Sequence, residues 1–325
     1  MTNDHQNRSL TWQPNRRTVL TAVALSGAAG GSLLITGGAS STFASGPKST
    51  ITVGDVTVMS LSDGHLALPE AFAASNVPPD QRRAALQKAG QTGDMLRSPL
   101  NVTLITTKTQ RILVDTGSGA RFMASAGKLS SALGAANVAP DSITKVVFTH
   151  AHPDHCWGTL DDFDDLTFAN AEHVISEAEW AFWMADDTVS KLPEDRKAFG
   201  VGAQRQLGAA KDQTKMVKPG DDIATGIRVV DSGGHTPGHI SLEVGTGRER
   251  LMILGDALTH PVISFEHPDW TPASDQDPAR AVKTRQRLLS KLASEGQRII
   301  GYHLPSPGFG RVVKRGTGYR FEANS

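Results

Sequence analysis

The sequence predicts an α/β protein in which two sheets pack face to face with helices outside, an αββα sandwich. Three observations carry that prediction. Apolar, strand-like runs recur in two rounds, each a hairpin followed by strands and helical segments. No Gly/Ser-rich linker, composition break or identical repeat interrupts residues 50–323, so the rounds form one domain with two similar halves. Residues able to bind a metal follow directly after apolar strands, where open α/β sheets carry their sites.

Residues 1–14 are polar and precede Asn15-Arg16-Arg17-Thr18-Val19-Leu20. From Thr18 to Gly46 the chain is uncharged and rich in Ala, Gly, Ser and Thr, and Thr42-Phe43-Ala44 reads as a small-x-Ala cleavage site. This pattern predicts a twin-arginine export signal over residues 1–46, removed near Ala44. It leaves one domain over 47–325 and a periplasmic or secreted protein, with the twin-arginine export machinery as a partner. The glycines weaken the stretch as a spanning helix.

In the mature chain, Ile51–Leu61 alternates around Gly54-Asp55 and reads as a hairpin that Asp63-Gly64 ends, before Leu66–Pro69. Residues 79–90 start on Pro79 and stop on Gly90, as a helix does. Asn101–Thr106 and Arg111–Gly117 form a second hairpin, and residues 127–136 read as a helix. The run Ile143–Phe148 is a short buried strand. Leu166–Ile175 reads as a strand pair broken at Asn170-Ala171, with helices over 177–186 and 195–212. Further strands are Ile227–Asp231, Leu251–Asp256 and Arg298–His303.

Directly after Phe148 come His150, His152, Asp154 and His155, spaced H-x-H-x-D-H. His150 and His152 can face one metal while Asp154 and His155 turn toward a second. Nitrogen and carboxylate donors without a thiolate cage suit zinc or a similar divalent ion in an open catalytic site. His235-Thr236-Pro237-Gly238-His239 follows a strand and a Gly-Gly turn. Here His239 reads as a supporting or core histidine rather than a ligand.

The chain carries 33 basic and 33 acidic side chains, a balance that argues against a nucleic-acid partner. Cys156 is the single cysteine, so no internal disulfide forms. It lies beside His155 without a base and acid of its own, which argues against a thiol nucleophile.

H-x-H-x-D-H after a strand resembles the metallo-β-lactamase superfamily of dinuclear hydrolases, over about residues 50–323. The resemblance implies that His235 completes a first metal with His150 and His152. It implies that His303 completes a second with Asp154 and His155, and that Asp256 bridges both. Two divalent ions, zinc first among them, would then activate a water between them. Asp154 and Asp256 are the implied catalytic carboxylates, and Asp115 supports the site from behind.

Within the superfamily, the twin-arginine signal, residues 61–64, Asp115-Thr116-Gly117, His-Thr-Pro-Gly-His and the tail 318–321 look like the methyl parathion hydrolase group. That likeness implies an aryl ester or organophosphate triester substrate, with Leu68, Phe122 and Trp183 lining the leaving-group pocket. A lactonase, including one for N-acyl homoserine lactones, is the alternative, although Thr259 stands where such enzymes commonly carry tyrosine. A non-catalytic metal-binding member of the fold is a further alternative. His260 and His267 read as loop residues out of the substrate's reach. Monomer and homodimer both stay open.

Overall fold

The computed structural model describes residues 49–247 and 249–324; the export segment read over residues 1–46 lies outside them. The first round comprises β1 (Thr50–Val53), β2 (Val56–Pro69), α1 (Pro79–Lys88), β3 (Met95–Thr106), β4 (Arg111–Val114), α2 (Leu129–Ala135), β5 (Lys145–Val147), α3 (Pro153–Cys156), β6 (Glu172–Ser176), α4 (Glu177–Met184), α5 (Thr188–Lys191), α6 (Lys197–Ala209) and β7 (Thr214–Val217). Its seven strands form one sheet in chain order, antiparallel from β1 to β4 and parallel from β4 to β7.

The second round comprises β8 (Asp222–Ala224), β9 (Ile227–Asp231), β10 (Ile240–Thr246), β11 (Glu249–Ile253), α7 (Ile263–Glu266), α8 (Pro278–Glu295), β12 (Arg298–Ile300), β13 (Phe309–Arg315) and β14 (Gly318–Ala323). They too pair in chain order, with β11 and β12 the one parallel pair.

The period-2 alternation of strand side chains explains the layers. Ile105, Ile112, Val114 and Val147 of the first sheet meet Val229, Leu242, Val244 and Leu251 of the second. Their chain neighbours Leu104, Leu113 and Val146 face the other way, onto Leu133, Trp183 and Leu207 from α2, α4 and α6. On the far side, Met252 and Ile299 pack against Leu288, Leu289 and Leu292 of α8. Each of those fully buried leucines contributes about 1.5–3 kcal/mol. The αββα sandwich read from the sequence is the fold observed.

Local expectations fail at two places. Asp63-Gly64 does not end a strand: β2 runs through it, and the register against β3 shifts between Ser62 and His65. This is a bulge, and Gly64 is needed there because its φ is +96° and a Cβ would lie 2.2 Å from the Ser125 carbonyl. The strand pair expected over 166–175 is one strand, β6, preceded by a lone Leu160–Leu166 bridge. Phe168 is instead buried as a loop residue in the outer core.

Helix α8 was not anticipated, although its signals are present. Asp277 caps it by accepting from Arg280 N, Pro278 is its first residue, and Gly296 ends it in the left-handed conformation.

Two features place the site. The loops leaving β4, β5, β9, β11 and β12 converge at one edge of the sandwich, as their side-chain contacts show. The β2–β3 hairpin closes at Pro69–Met95, and residues 70–94 at its tip fold over that edge. Hydrogen bonds Ser75 N to Thr271 O (2.8 Å) and Ala273 N to Phe72 O (2.8 Å) tie the tip to the loop before α8. Val77, Leu86 and Ile263 pack beneath it.

Candidate metal centre

The turn after β5 carries His150 and His152 and then α3, whose first residue is Pro153, so Asp154 and His155 leave on its first turn. All four side chains are buried. Asp115, at the end of β4, holds φ +67°, an uncommon conformation for a residue with a side chain. Its carboxylate accepts from Thr149 N (2.7 Å) and Thr149 Oγ1 (2.8 Å), and it faces His155 Nδ1 at 2.8 Å.

Those outer contacts orient each imidazole. Thr149 Oγ1 gives its hydrogen to Asp115, so it accepts from His150 Nδ1 at 3.1 Å. His235 Nδ1 faces Asp275 Oδ1 at 3.0 Å, and His303 Nδ1 faces the Pro99 carbonyl at 2.9 Å. Carboxylates and carbonyls only accept, so four rings donate outward through Nδ1 and aim Nε2 inward. His152 is turned the other way: its Nδ1 lies 3.0 Å from His150 Nε2 and 2.9 Å from His235 Nε2. Three ring nitrogens thus converge on one point.

Beside them lies a second convergence. His303 Nε2 is 3.3 Å from Asp154 Oδ2, and His155 Nε2 is 3.5 Å from that same oxygen. Asp256 stands between the two groups. Its Oδ1 lies 3.2 Å from His155 Nε2, and its Oδ2 lies 3.3 Å from His235 Nε2 and 3.2 Å from His303 Nε2. The donor sets His150–His152–His235 and Asp154–His155–His303 each offer one atom within 4.8 Å of the others. Asp154 Oδ2, His155 Nε2 and Asp256 Oδ1 are buried without a hydrogen-bond partner. Inward lone pairs and orphaned buried donors are what a cation satisfies, so these residues fit divalent ions. All seven predicted ligands meet here.

The electrostatics divide the two sets. Burial, reinforced by neighbouring imidazoles, pushes His150 and His152 well below the usual histidine value. Burial opposes charge on His303 as well, but Asp256 and Asp154 outweigh it and raise the ring to about 10. The same carboxylates, with Asp115, raise His155. A cation entering the second set therefore displaces protons.

His239 is not a ligand. Its Nε2 accepts from Asp256 N at 2.9 Å, which fixes that carboxylate's backbone, and its Nδ1 faces Ser232 Oγ at 2.8 Å. Cys156 Sγ donates to the Ala151 carbonyl at 3.3 Å, and burial beside Asp115 and Asp154 raises its thiol well above the usual value. It is a protonated core residue. Cys156→Ser should keep most activity, and iodoacetamide should fail to label the folded wild type; rapid alkylation with loss of turnover would assign the chemistry to the thiol.

A cavity of about 570 Å³ opens over the donor sets. Leu68 and Phe122 line it, with Phe72, Leu96, Met123 and Phe199. Trp183 does not: it is buried behind the site, its ring edge-on to His152 and its N–H given to Glu179 Oε1 at 2.6 Å. The reason is its place on α4, which faces the outer core rather than the cavity. Thr259 and His260 also line the cavity, contrary to the reading of His260 as out of reach. His260 Nδ1 accepts from Val262 N and Ile263 N, Nε2 faces Gln91 Oε1 at 2.8 Å, and burial lowers its pKa to about 4. It therefore presents a neutral, fixed ring. His267 stacks on Trp270 and does not line the cavity.

A family model described as Metallo-beta-lactamase superfamily matches residues 97–303. The chain belongs to the metallo-β-lactamase superfamily. Metallo-beta-lactamase domain-containing protein 1 of Xenopus laevis is 31% identical over 228 residues, 69% of this chain and 77% of that protein. Among solved structures, the hydrolase AbOPH of the beta lactamase superfamily is 29% identical with TM-score 0.79, covering 85% of this chain and 97% of that one. AidC, a dizinc quorum-quenching lactonase in complex with a product, is 28% identical with TM-score 0.80 and the same coverages. As a superfamily member this chain has a metallo-hydrolase fold with buried His and Asp groups placed to hold metal.

Several supporting residues of this metallo-β-lactamase site went unread in the sequence. Glu179, inside α4, accepts from Ala151 N, Trp183 Nε1, Thr236 Oγ1 and Gly238 N, so it clasps the His150–His152 turn to the His235 turn. Gly238 has to be glycine, because a Cβ would lie 2.0 Å from Glu179 N. Asp275 is held by Arg285 of α8 at 2.9 Å while it orients His235. Tyr302 Oη donates to the Asp154 carbonyl at 2.6 Å. Asn101 Nδ2 donates to the Gly301 and Leu304 carbonyls and holds the His303 loop.

Proposed function

We propose that the chain is a dinuclear, zinc-type hydrolase of neutral ester substrates. The observation that carries this reading is Asp256, set between two complete donor sets on the floor of an apolar cavity. When bound, paired ions supply a water of lowered pKa as nucleophile and polarise the oxygen of the group attacked. The chain's own part is to fix the donors. Asp115, Thr149, Asp275 and the Pro99 carbonyl hold the rings with one nitrogen inward, and Asp256 serves both sets.

The cavity wall selects the substrate. Phe122, Phe199, Phe72 and Leu68 offer an aryl or acyl group a dry surface, which favours aryl esters, organophosphate triesters and lactones over polyanions. The zero net charge adds no pull on nucleic acid. AidC's description as a lactonase supports the lactone reading, and the likeness to AbOPH supports a broader hydrolase reading.

The test is a panel of aryl esters, lactones of increasing acyl length and a dimethyl aryl phosphotriester, run on zinc-loaded protein with and without chelator. Turnover of at least one neutral ester, abolished by chelation and restored by zinc, is expected. Phe122→Ala should raise KM for aryl and long-acyl substrates more than for short ones. Activity that survives complete metal removal, or is confined to phosphate polyanions, would overturn the proposal.

A further inference from the structure

His152 is the one donor of the first set whose outer nitrogen has no acceptor in the contacts above. Its Nδ1 faces the point shared with His150 and His235, so the ring hydrogen belongs on Nε2 and calls for an acceptor. The atom facing it, 3.3 Å away, is Gln276 Nε2, which is itself a donor, while Gln276 Oε1 is buried without a partner. Turning the amide about its last bond exchanges oxygen and nitrogen without moving any other atom. One amide atom lacks a partner in either orientation, but only the turned one also satisfies His152.

We infer that Gln276 is a positioning residue, whose side-chain carbonyl accepts the Nε2 hydrogen of His152 and holds Nδ1 toward the metal. The inference rests on the metal-centre reading and deepens it.

The backbone makes Gln276 suited to this. Gln276 N donates to His235 O and Asp277 N to Gly234 O, each at 2.9 Å. On one side Asp275 is locked between Arg285 and His235; on the other Asp277 caps α8. The tripeptide 275–277 thus couples the start of α8 to two histidines of the first donor set. An amide on so fixed a backbone loses little conformational freedom in holding a ring.

The experiment compares wild type, Gln276→Ala and Gln276→Glu, because glutamate keeps the acceptor and lacks the donor. Metal-stripped protein is titrated with Zn2+ against a competing chelator, and His152 is followed by 15N NMR of histidine-labelled protein. The wild type should carry its His152 hydrogen on Nε2 in slow exchange. Gln276→Ala should weaken one of two zinc ions by about 10–100-fold and speed that hydrogen's exchange. Gln276→Glu should restore both properties.

Glutamate behaving like alanine would mean that the amide donates to His152, and the inference would be wrong. Unchanged zinc binding and exchange in Gln276→Ala would also overturn it while leaving the metal centre standing. Should Gln276→Ala fail to fold by circular dichroism, the His152 spectrum of Gln276→Glu decides. A wild type that binds no zinc would instead remove the metal reading, and this inference with it.

Discussion

Asp256→Ala is expected to lose both bound ions together and to lower the rate on any ester substrate by about 10³-fold or more, about 4 kcal/mol of barrier. The carboxylate reaches His155 through Oδ1 and both His235 and His303 through Oδ2, so it touches both donor sets. Its removal also leaves buried imidazoles facing one another without the charge that offsets them, which disfavours cation entry. His303→Ala should differ: it touches Asp154 and Asp256 but lies outside the His150–His152–His235 set, so one ion should remain. Elemental analysis with kinetics checks both variants. Two ions retained in Asp256→Ala would sink the bridging assignment, and one ion in metal-replete wild type would sink the dinuclear one.

The second large effect is expected on stability. Glu179→Ala should cost about 4 kcal/mol, which is a fall in Tm of about 8–12 °C, because it strips the acceptor from four groups at once. Ala151 N (3.0 Å), Gly238 N (2.9 Å), Trp183 Nε1 (2.6 Å) and Thr236 Oγ1 (2.7 Å) all end on this one carboxylate. Burial raises the Glu179 carboxyl while these four donors draw it back down. Three of the donors belong to the two turns that carry candidate metal ligands, so zinc affinity should fall with Tm. Glu179→Gln keeps the shape, exchanges one acceptor for a donor and should lose roughly half as much. Thermal unfolding of metal-free and zinc-loaded protein separates the terms. An unchanged Tm in Glu179→Ala would show that the clasp contributes nothing.

The candidate metal donors were legible in the sequence for two reasons: the first four cluster after one strand, and the family resemblance pointed to His235, Asp256 and His303. His150, His152, Asp154 and His155 lie within six residues after β5, and Asp256 and His303 each stand at the close of an apolar run. A strand that buries alternate side chains must end at a sheet edge, and the loop that leaves it carries whatever polar residues follow. The sandwich was legible for a related reason, since hydrophobic period and hairpin turns are short-range signals. Asp63-Gly64 shows the limit: the same dipeptide fits a turn or a bulge, and only the partner strand β3 decides.

Beyond Asp115 and His239, tertiary structure decided what holds the candidate ligands still. Asn101 reaches Leu304 across 203 positions, Glu179 reaches Gly238 across 59, and Asp275 reaches His235 across 40. Nothing in the local pattern around Glu179 separates it from an ordinary acid on a helix, and Trp183 looked like a pocket residue until α4 was seen to face the outer core. The physical reason is the nature of the two tasks. Donating to a metal needs a particular side chain at a strand end, which the chain spells out locally. Orienting that side chain needs any buried acceptor at about 3 Å, and folding can bring that acceptor from anywhere in the sequence.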